Sequence, residues 1–350
     1  NFEIHPLKNG LIILLKQNSW ISLSGLFKAT IIYGSVKTHG SNIKAPSSMN
    51  FFATDMEIVT FVTDSATDGG GDVLNIINKN HIETKLKHKY IRSIIKIQKH
   101  FTKFEDFISS FRIFHKSNFE PQILDQFFDI NEYSIWEKAC QKILVDHTKI
   151  FVCGKKRIGK SSFIRFLANY LIPRGKDVYI IDCDTDQSML NPPTQISLHK
   201  IDYYCHTSPY FQNKAPLTSI YIGDADPSFQ SLRYVHGVRF LFKEFEKIVQ
   251  QNKNIFLLIN TFSWIRGFQI TLYLDYGMGY LTDIIQICAP DLCLQIVDTK
   301  ENPEFFINSN NELDGFLSCT TAFNDYVSRG RAFSEYTGIN YNPSSELNNE

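Results

Sequence analysis

The sequence predicts an α/β fold in which a doubly wound parallel sheet domain follows a small all-β domain of the sandwich or barrel type. Short runs of alternating apolar and polar residues, separated by glycine and proline, fill residues 1–62. From residue 131 onwards, apolar strand-like runs alternate with stretches of helical periodicity, which is the order of a β-α repeat. A glycine-rich loop joins the first of these strands to its helix.

The composition is that of a folded chain of 350 residues, 43% hydrophobic and 14% aromatic. Lys+Arg and Asp+Glu both number 36, so the net charge neither supports nor excludes RNA binding. The seven cysteines are scattered and odd in number, which predicts a reducing compartment and hence a cytosolic or nuclear protein. Because no apolar run approaches membrane-spanning length, we expect no membrane association.

The chain is long enough for two or three domains, and we expect regions at 1–130, 131–300 and 301–350. Residues 63–80, with three consecutive glycines, are expected to form a loop or hinge. In the basic segment 81–103, seven Lys and Arg residues alternate with Tyr90 and isoleucines. Such a pattern is typical of a surface that binds a phosphate backbone or of a solvated face, and the second interpretation is favoured because no RNA-reading motif accompanies it.

The stretch Gly154-x-x-x-x-Gly159-Lys160-Ser161 has the pattern of a phosphate-binding loop, or P-loop, and it follows the apolar run 150–153. Glycines allow backbone N–H groups to curl around phosphate oxygens, and the N-terminus of the next helix points its positive dipole end at the same anion. Lys160 would then reach the β- and γ-phosphates of a nucleoside triphosphate, and the Ser161 hydroxyl would bind Mg²⁺. The predicted nucleotide-binding residues are Gly154, Lys155, Lys156, Arg157, Ile158, Gly159, Lys160, Ser161 and Ser162.

An acidic strand end follows the P-loop helix, because the apolar run 178–182 leads into Asp182-Cys183-Asp184. In a β-α-β unit this strand end lies beside the P-loop. Asp184 would there hold Mg²⁺ through water or take a proton from an attacking hydroxyl, and both roles stay open. A plain turn of aspartates is the alternative, and the neighbouring P-loop disfavours it.

A second buried strand is predicted at 254–260, where every residue but the terminal asparagines is apolar. Ligands of such sheets bind beyond the carboxyl ends of the strands, so Thr261, Trp264 and Arg266 would face the site. A lone tryptophan is more often a core residue than a ligand contact, which is the alternative for Trp264.

Four stretches together resemble the polynucleotide 5′-hydroxyl kinases, which are RNA kinases with an N-terminal β domain, a central P-loop domain and a C-terminal domain. Two weaker matches are similar to the nucleolar branch that works in pre-ribosomal RNA processing: Tyr221-x-Gly223-Asp224 with Pro227, and the segment 25–40 around Tyr33-Gly34. The four stretches are the P-loop 154–161, Asp182-x-Asp184-x-x-Gln187, Asn260-Thr261-x-x-Trp264-x-Arg266-Gly267, and Leu281-x-Asp283-Ile284-Ile285 with Pro290 and Gln295.

The resemblance implies an ATP- and Mg²⁺-dependent enzyme that phosphorylates the 5′-hydroxyl end of an RNA. It also implies a location in the nucleus, specifically the nucleolus, and an endoribonuclease partner in a pre-rRNA processing complex. For residues 301–350 it implies a lid and the start of a truncated or diverged C-terminal domain.

The resemblance also implies a role for individual residues. Lys160 would stabilise the transferring phosphoryl group, and Asp184 would be the base on the RNA 5′-hydroxyl, with Gln187 orienting it. Thr261 would clasp the nucleotide, and Trp264 would contact the substrate end. The implied catalytic residues are Lys160, Asp184, Gln187, Thr261, Trp264 and, from the lid, Arg331 or its neighbour Arg329; the implied metal ligands are Ser161 and Asp184.

Two positions depart from the kinase pattern, because Asp186 and Ser263 stand where the family has glycine. A side chain there takes space that the backbone otherwise leaves to the substrate, and Asp186 adds negative charge near phosphates. These departures favour a second hypothesis, a catalytically weak nucleotide-binding scaffold of an RNA-processing complex. A third is the messenger-RNA 3′-end or tRNA-splicing branch of the same kinases.

Overall fold

The structure is a computed structural model of the chain. It describes residues 2–53, 58–63, 73–79, 82–100, 121–124, 130–154, 156, 159–205, 214–249, 254–262 and 276–296. The chain divides into two compact units, and the predicted boundaries near 130 and 300 stay a prediction. The first unit comprises Asn1–Ser134, Arg165–Arg174 and Tyr203–Lys214, and the second comprises Ile135–Ile164, Gly175–Asp202 and Ala215–Glu350.

The first unit is built on a sheet that has eight strands in the described part of the chain. Its longest strand, β3, pairs with five others, all antiparallel except β6. Phe27 of β3 stacks on Phe51 of β5 at 5.3 Å between ring centroids, and both are fully buried. The predicted all-β domain is therefore confirmed. The strands are β1 (Phe2–Leu7), β2 (Gly10–Lys16), β3 (Trp20–Thr38), β4 (Ser41–Lys44), β5 (Ser47–Ala53), β6 (Val59–Val62), β7 (Ile91–Lys99) and β8 (Gln122–Leu124).

The basic segment contains β7, which lies inside the sheet between β2 and β3. Its isoleucines at 91, 94, 95 and 97 are buried, whereas Lys85, Lys87, Lys89 and Lys99 are exposed. The isoleucines of β7 therefore build the core on both faces of the strand, and the exposed lysines precede the strand or lie at its end.

A short helix, α1 (Val73–Lys79), occupies part of the stretch that the sequence predicted as a loop. That prediction was wrong for these residues because helix formation here depends on tertiary contacts. Ile77 is buried in a cluster with Ile12 and Leu14 of β2, and packing of this kind stabilises a helix too short to form alone.

As far as its residues are described, the second unit contains a sheet of six strands in the order β12-β11-β10-β13-β9-β14. The four strands β10, β13, β9 and β14 are parallel, which confirms the predicted α/β class. Strands β11 and β12 are antiparallel to their neighbours, because no helix separates β10 from β11 to carry the chain back. The strands are β9 (Lys149–Gly154), β10 (Asp177–Asp182), β11 (Gln195–Ile201), β12 (Thr218–Tyr221), β13 (Ile255–Asn260) and β14 (Leu292–Ile296).

The described residues from 130 onwards include four longer helices, each close to the extent that its apolar periodicity predicts. One buried face of α4 includes Tyr234, Val238 and Leu241, which share a core cluster with Phe151 of β9 and Ile181 of β10. Among the described residues, no helix is both long and apolar enough to cross a membrane. The helices are α2 (Ile130–Asp146), α3 (Lys160–Leu171), α4 (Ser231–Val249) and α5 (Tyr276–Cys288).

Candidate active site

The carboxyl ends of three parallel strands meet at one edge of the sheet in the second unit. Asn260 at the end of β13 is paired with Asp182 of β10 on one side and with Val152 of β9 on the other. Ligands of doubly wound sheets bind beyond the carboxyl ends of the strands. The residues that follow these three strands therefore form the candidate site.

The P-loop connects β9 to α3 in the predicted way, and Phe163 N donates to Gly159 O at 2.8 Å in the first turn of the helix. Gly159 has a φ of +102°, a conformation that favours glycine. Trp136 of α2 lies beside it, because a Cβ at Gly159 would be 3.8 Å from the indole. Trp136 also packs edge-on against Phe163 at 5.5 Å, so α2 supports the end of the loop.

Of the remaining predicted loop residues, Lys155, Arg157 and Ile158 lie outside the described residues. Ser161 and Ser162 fall in the first turn of α3, where Ser161 is partly buried and Ser162 is exposed. The partly buried hydroxyl at the positive end of the helix is the one that the P-loop pattern assigns to the metal.

Lys160 and Asp184 are a buried pair of opposite charge at this edge of the sheet, only 5% and 3% exposed. Burial lowers the pKa of Lys160, and the nearby charge of Asp184 opposes that change. Burial raises the pKa of Asp184 to about 6, and the charge of Lys160 opposes it in turn. The structure thus brings together the two side chains to which the sequence assigned phosphoryl binding and proton transfer.

The carboxylate of Asp184 is held by its own loop. Its Oδ1 accepts hydrogen bonds from the backbone N–H groups of Gln187 at 2.8 Å and Asp186 at 3.1 Å. These bonds oppose the effect of burial on the pKa of Asp184 because they stabilise the carboxylate. The side chain of Gln187 is exposed, so its implied orienting role stays a prediction.

Lys156, in the middle of the P-loop, forms an ion pair with Asp186, one of the two residues that depart from the kinase pattern. The pair joins the phosphate-binding loop to the loop that carries Asp184. The negative charge of Asp186 is therefore partly compensated from the P-loop itself.

Thr261 is fully buried at the end of β13, and its Oγ1 donates to Val152 O of the P-loop strand at 2.8 Å. The hydroxyl therefore ties two neighbouring strand ends together, and the implied clasp role of Thr261 stays a prediction. Trp264 and Arg266, like the lid residues Arg329 and Arg331, lie outside the described residues.

Sequence reasoning missed Tyr234, which is fully buried on α4 and donates from its hydroxyl to Cys183 O at 2.9 Å. Its ring lies 6.0 Å from that of Phe262 and 5.6 Å from that of Tyr280. Tyr234 precedes Val238, Leu241 and Phe245 at spacings of four, three and four, a helical signal that was available in the sequence.

Within the described ranges, no group of three or more His, Cys, Asp or Glu side chains is arranged to hold a metal ion. Magnesium in nucleotide sites needs fewer protein ligands, since it is usually held by one or two carboxylates together with substrate phosphates and water. The hydroxyl oxygen of Ser161 and the carboxylate of Asp184 are donors of the required kind, so the residues present fit Mg²⁺.

Comparison with known proteins identifies the relatives of this chain. Residues 154–316 match the family model described as the P-loop of the mRNA cleavage and polyadenylation factor CLP1. Polynucleotide 5′-hydroxyl-kinase NOL9 of Bos taurus is 27% identical over 171 residues, which are 48% of this chain and 23% of that protein.

Two other relatives align over most of the chain. The kinase nol9 of Dictyostelium discoideum is 24% identical over 331 residues, 83% of this chain and 47% of that protein. The kinase GRC3 of Debaryomyces hansenii is 24% identical over 334 residues, 86% of this chain and 48% of that protein. The chain thus spans about half the length of these two relatives and about a quarter of the bovine one.

The fold is similar to that of Clp1p in two solved complexes with Pcf11p. The TM-scores are 0.53 and 0.55 at 13% and 12% identity, over 96% of this chain and 73% of the solved chain in both cases. At such low identity the likeness concerns the fold alone. These three curated relatives are named as polynucleotide 5′-hydroxyl kinases of the NOL9 and GRC3 type, so the resemblance to the nucleolar branch of these kinases that the sequence motifs predicted is confirmed.

Proposed function

We propose that this protein is an ATP-dependent polynucleotide 5′-hydroxyl kinase that phosphorylates RNA 5′-hydroxyl ends in pre-rRNA processing. The observation that carries the proposal is the buried pair of Lys160 and Asp184 at the carboxyl edge of the parallel sheet. A P-loop lysine alone is common to many nucleotide-binding proteins, whereas a buried carboxylate beside it supplies a base for an acceptor hydroxyl.

In the proposed reaction, the RNA 5′-oxygen forms a bond to the γ-phosphorus of ATP. The bond from that phosphorus to the β,γ-bridging oxygen breaks, ADP leaves, and the hydroxyl proton passes to Asp184. A carboxylate with a pKa of about 6 is mostly ionised at neutral pH and is a stronger base than an exposed aspartate. Lys160 would neutralise charge on the phosphoryl oxygens as they move.

The other implied residues complete this proposal. Mg²⁺, held by Ser161 and Asp184 together with the phosphates, would neutralise charge on the β- and γ-phosphates. Gln187 would orient Asp184, Thr261 would help to clasp the nucleotide, Trp264 would stack on the substrate end, and Arg331 would close over the phosphates as part of the lid.

The proposed setting rests on the relatives. We propose a nuclear, nucleolar protein that works beside an endoribonuclease that makes 5′-hydroxyl ends. The match of residues 154–316 to an mRNA cleavage factor keeps the mRNA 3′-end or tRNA-splicing branch as an alternative setting for the same chemistry. Identification of the RNA that copurifies with the tagged protein distinguishes pre-rRNA from the other two substrates, and imaging of the same tagged protein tests the location.

The second candidate function is a catalytically weak nucleotide-binding scaffold, and the ion pair of Asp186 with Lys156 favours it. This carboxylate competes with nucleotide phosphates for a P-loop lysine. A scaffold of this kind would bind ATP through Lys160 but transfer little phosphate.

The test is transfer of labelled γ-phosphate from ATP to an RNA with a 5′-hydroxyl end. We expect transfer by the wild-type protein, loss of transfer in Lys160→Ala and Asp184→Asn, and no labelling of the same RNA when its 5′ end already carries a phosphate. Asp184→Asn should still bind ATP, because the P-loop is unchanged. ATP binding without transfer by the wild-type protein would reject the kinase proposal and support the scaffold.

A further inference from the structure

Asp182, two residues before the proposed base, is a fully buried carboxylate that accepts five hydrogen bonds. It lies at the end of β10 and is not in the set of residues to which the kinase resemblance assigns a role. Oδ2 accepts from Ser188 Oγ at 2.8 Å, Met189 N at 2.6 Å and Leu190 N at 3.0 Å, and Oδ1 accepts from Asn260 Nδ2 at 2.8 Å and Asp184 N at 3.3 Å.

The two oxygens of Asp182 hold different parts of the structure. Oδ2 accepts hydrogen bonds from the far end of the loop that follows β10, whereas Oδ1 accepts one from Asn260 at the end of β13. Both ends of the loop that carries Asp184 therefore donate hydrogen bonds to the same buried carboxylate. Such a carboxylate needs these donors because burial raises the pKa of Asp182, and the bonds from Asn260, Ser188 and the backbone oppose that rise.

The hydrogen bond to Asp182 determines which way the side-chain amide of Asn260 is turned. Within the described part of the chain, Asn260 Oδ1 is one of the few buried side-chain atoms with no hydrogen-bond partner. The reversed amide would place this oxygen against the carboxylate of Asp182, which is repulsive. The amide therefore donates to Asp182 and leaves its own oxygen unsatisfied, an arrangement that costs stability.

The main chain on either side of Asp184 is anchored as well. Tyr234 donates to Cys183 O at 2.9 Å, and Thr185 Oγ1 donates to Ala225 O at 2.6 Å. Together with Asp182, these contacts fix the backbone that presents the Asp184 carboxylate. A base that is already fixed before substrate binds needs no further ordering during the reaction, because its conformational entropy was lost on folding.

We propose that Asp182 is a positioning residue for phosphoryl transfer, which fixes the loop of Asp184 through Ser188 and the amides of Met189 and Leu190, with Asn260 as its partner on β13. This inference rests on the proposed kinase function and deepens it. Asp182 itself touches neither nucleotide nor RNA in this role, since its oxygens are occupied by the five protein donors.

The test exchanges the partners. Asp182→Asn replaces the charged acceptor of Ser188, Met189 and Leu190 by a neutral amide, and Asn260→Asp sets two carboxylates together. The double variant restores a matched pair, because the new asparagine can accept from the loop with its oxygen and donate to the new aspartate with its nitrogen. Each variant is compared with the wild type in the same 350-residue chain, by phosphate transfer to 5′-hydroxyl RNA and by hydrogen exchange of the amides of residues 186–190.

We expect each single variant to lower kcat by about 10-fold to 100-fold with little change in KM for ATP, since displacement of a base by about 1 Å has effects of this size. The amides of Met189 and Leu190 should exchange about 10-fold faster, because their bonds to Asp182 are weakened. The double variant should recover most of the additional loss in Asn260→Asp, because it removes the repulsion between two carboxylates.

Unchanged kcat and unchanged exchange in Asp182→Asn would overturn the proposal, and so would a double variant no better than Asn260→Asp. If Asp182→Asn does not fold, Ser188→Ala removes only one donor and should still speed exchange of these amides and lower kcat about threefold to 10-fold, by the loss of one hydrogen bond to a charged acceptor. If the wild-type protein transfers no phosphate, the proposed function fails, while the exchange measurements still decide whether Asp182 fixes the loop.

Discussion

Lys156 of the P-loop and Asp186 of the loop after β10 form an ion pair, with Nζ 2.5 Å from Oδ2 and both side chains 51% exposed. Asp186 stands where the kinases that this chain resembles have glycine, which has no side chain to form such a pair. Exposed ion pairs add little to stability. We therefore expect the pair to affect nucleotide binding instead. The Asp186 carboxylate repels nucleotide phosphates and competes with them for Lys156.

Replacement of Asp186 by Asn should strengthen ATP binding about threefold to 10-fold at low salt, because one negative charge near the phosphates is removed. The gain should shrink at high salt, since the site is exposed and screening reaches it. Calorimetric titration of ATP at low and high salt measures both effects. The control is Glu244→Gln, which breaks the pair that Glu244 forms with Lys247 on α4, also at 2.5 Å, and should leave ATP affinity unchanged. Weaker binding in Asp186→Asn would show that the pair supports the loop.

The pH dependence of phosphate transfer should report the ionisation of Asp184. Its pKa is raised to about 6, and a general base must be ionised to accept a proton. We therefore expect kcat/KM to fall about 10-fold for each pH unit below 6 and to level off above it. Steady-state rates between pH 5 and 8, with ATP binding measured at each pH, test this. An acid limb near pH 4, the ordinary range of an exposed aspartate, would contradict a buried base.

The stability of the fold should also depend on the charge of Asp184. Its pKa in the folded state, about 6, lies above its ordinary value of 3.8, so the folded state favours the protonated form. The stabilisation is complete below pH 3.8 and is lost as the pH rises through 6.

Asp184→Asn should remove this dependence. Relative to the wild type, its free energy of unfolding should increase by about 2 kcal/mol as the pH rises from 4 to 7. Urea unfolding at both pH values measures the difference, and the other carboxylates cancel because both proteins contain them. A constant difference across this range would show that Asp184 is not buried with a raised pKa.

The hydroxyl of Thr261 should matter for stability through its bond to Val152 O. Thr261→Val keeps the shape of the side chain and leaves that buried carbonyl without this donor, so we expect a loss of about 1–2 kcal/mol in the free energy of unfolding. Thr261→Ser keeps the hydroxyl and should retain phosphate transfer. If Thr261→Val lowers transfer without any loss of stability, the hydroxyl acts on the nucleotide and its contact with β9 is secondary.

Features that depend on neighbouring residues can be predicted from the sequence alone. The P-loop needs glycines, a lysine and a serine at fixed spacing between a strand and a helix, and these are local requirements that Gly154, Gly159, Lys160 and Ser161 meet. Helix and strand bounds such as those of α4 and β13 follow from periodicity in the same way.

Contacts between residues that are distant in sequence depend on the folded chain. The register that sets Asn260 opposite Asp182 depends on strand pairing across 78 residues of sequence, and no local pattern encodes it. The same holds for the return of β11 as an antiparallel strand and for the bond from Tyr234 to Cys183 O. Burial of Asp184 beside Lys160 arises from this assembly, and burial is what raises the pKa of the carboxylate: the sequence named the proposed base, and the fold decided its basicity.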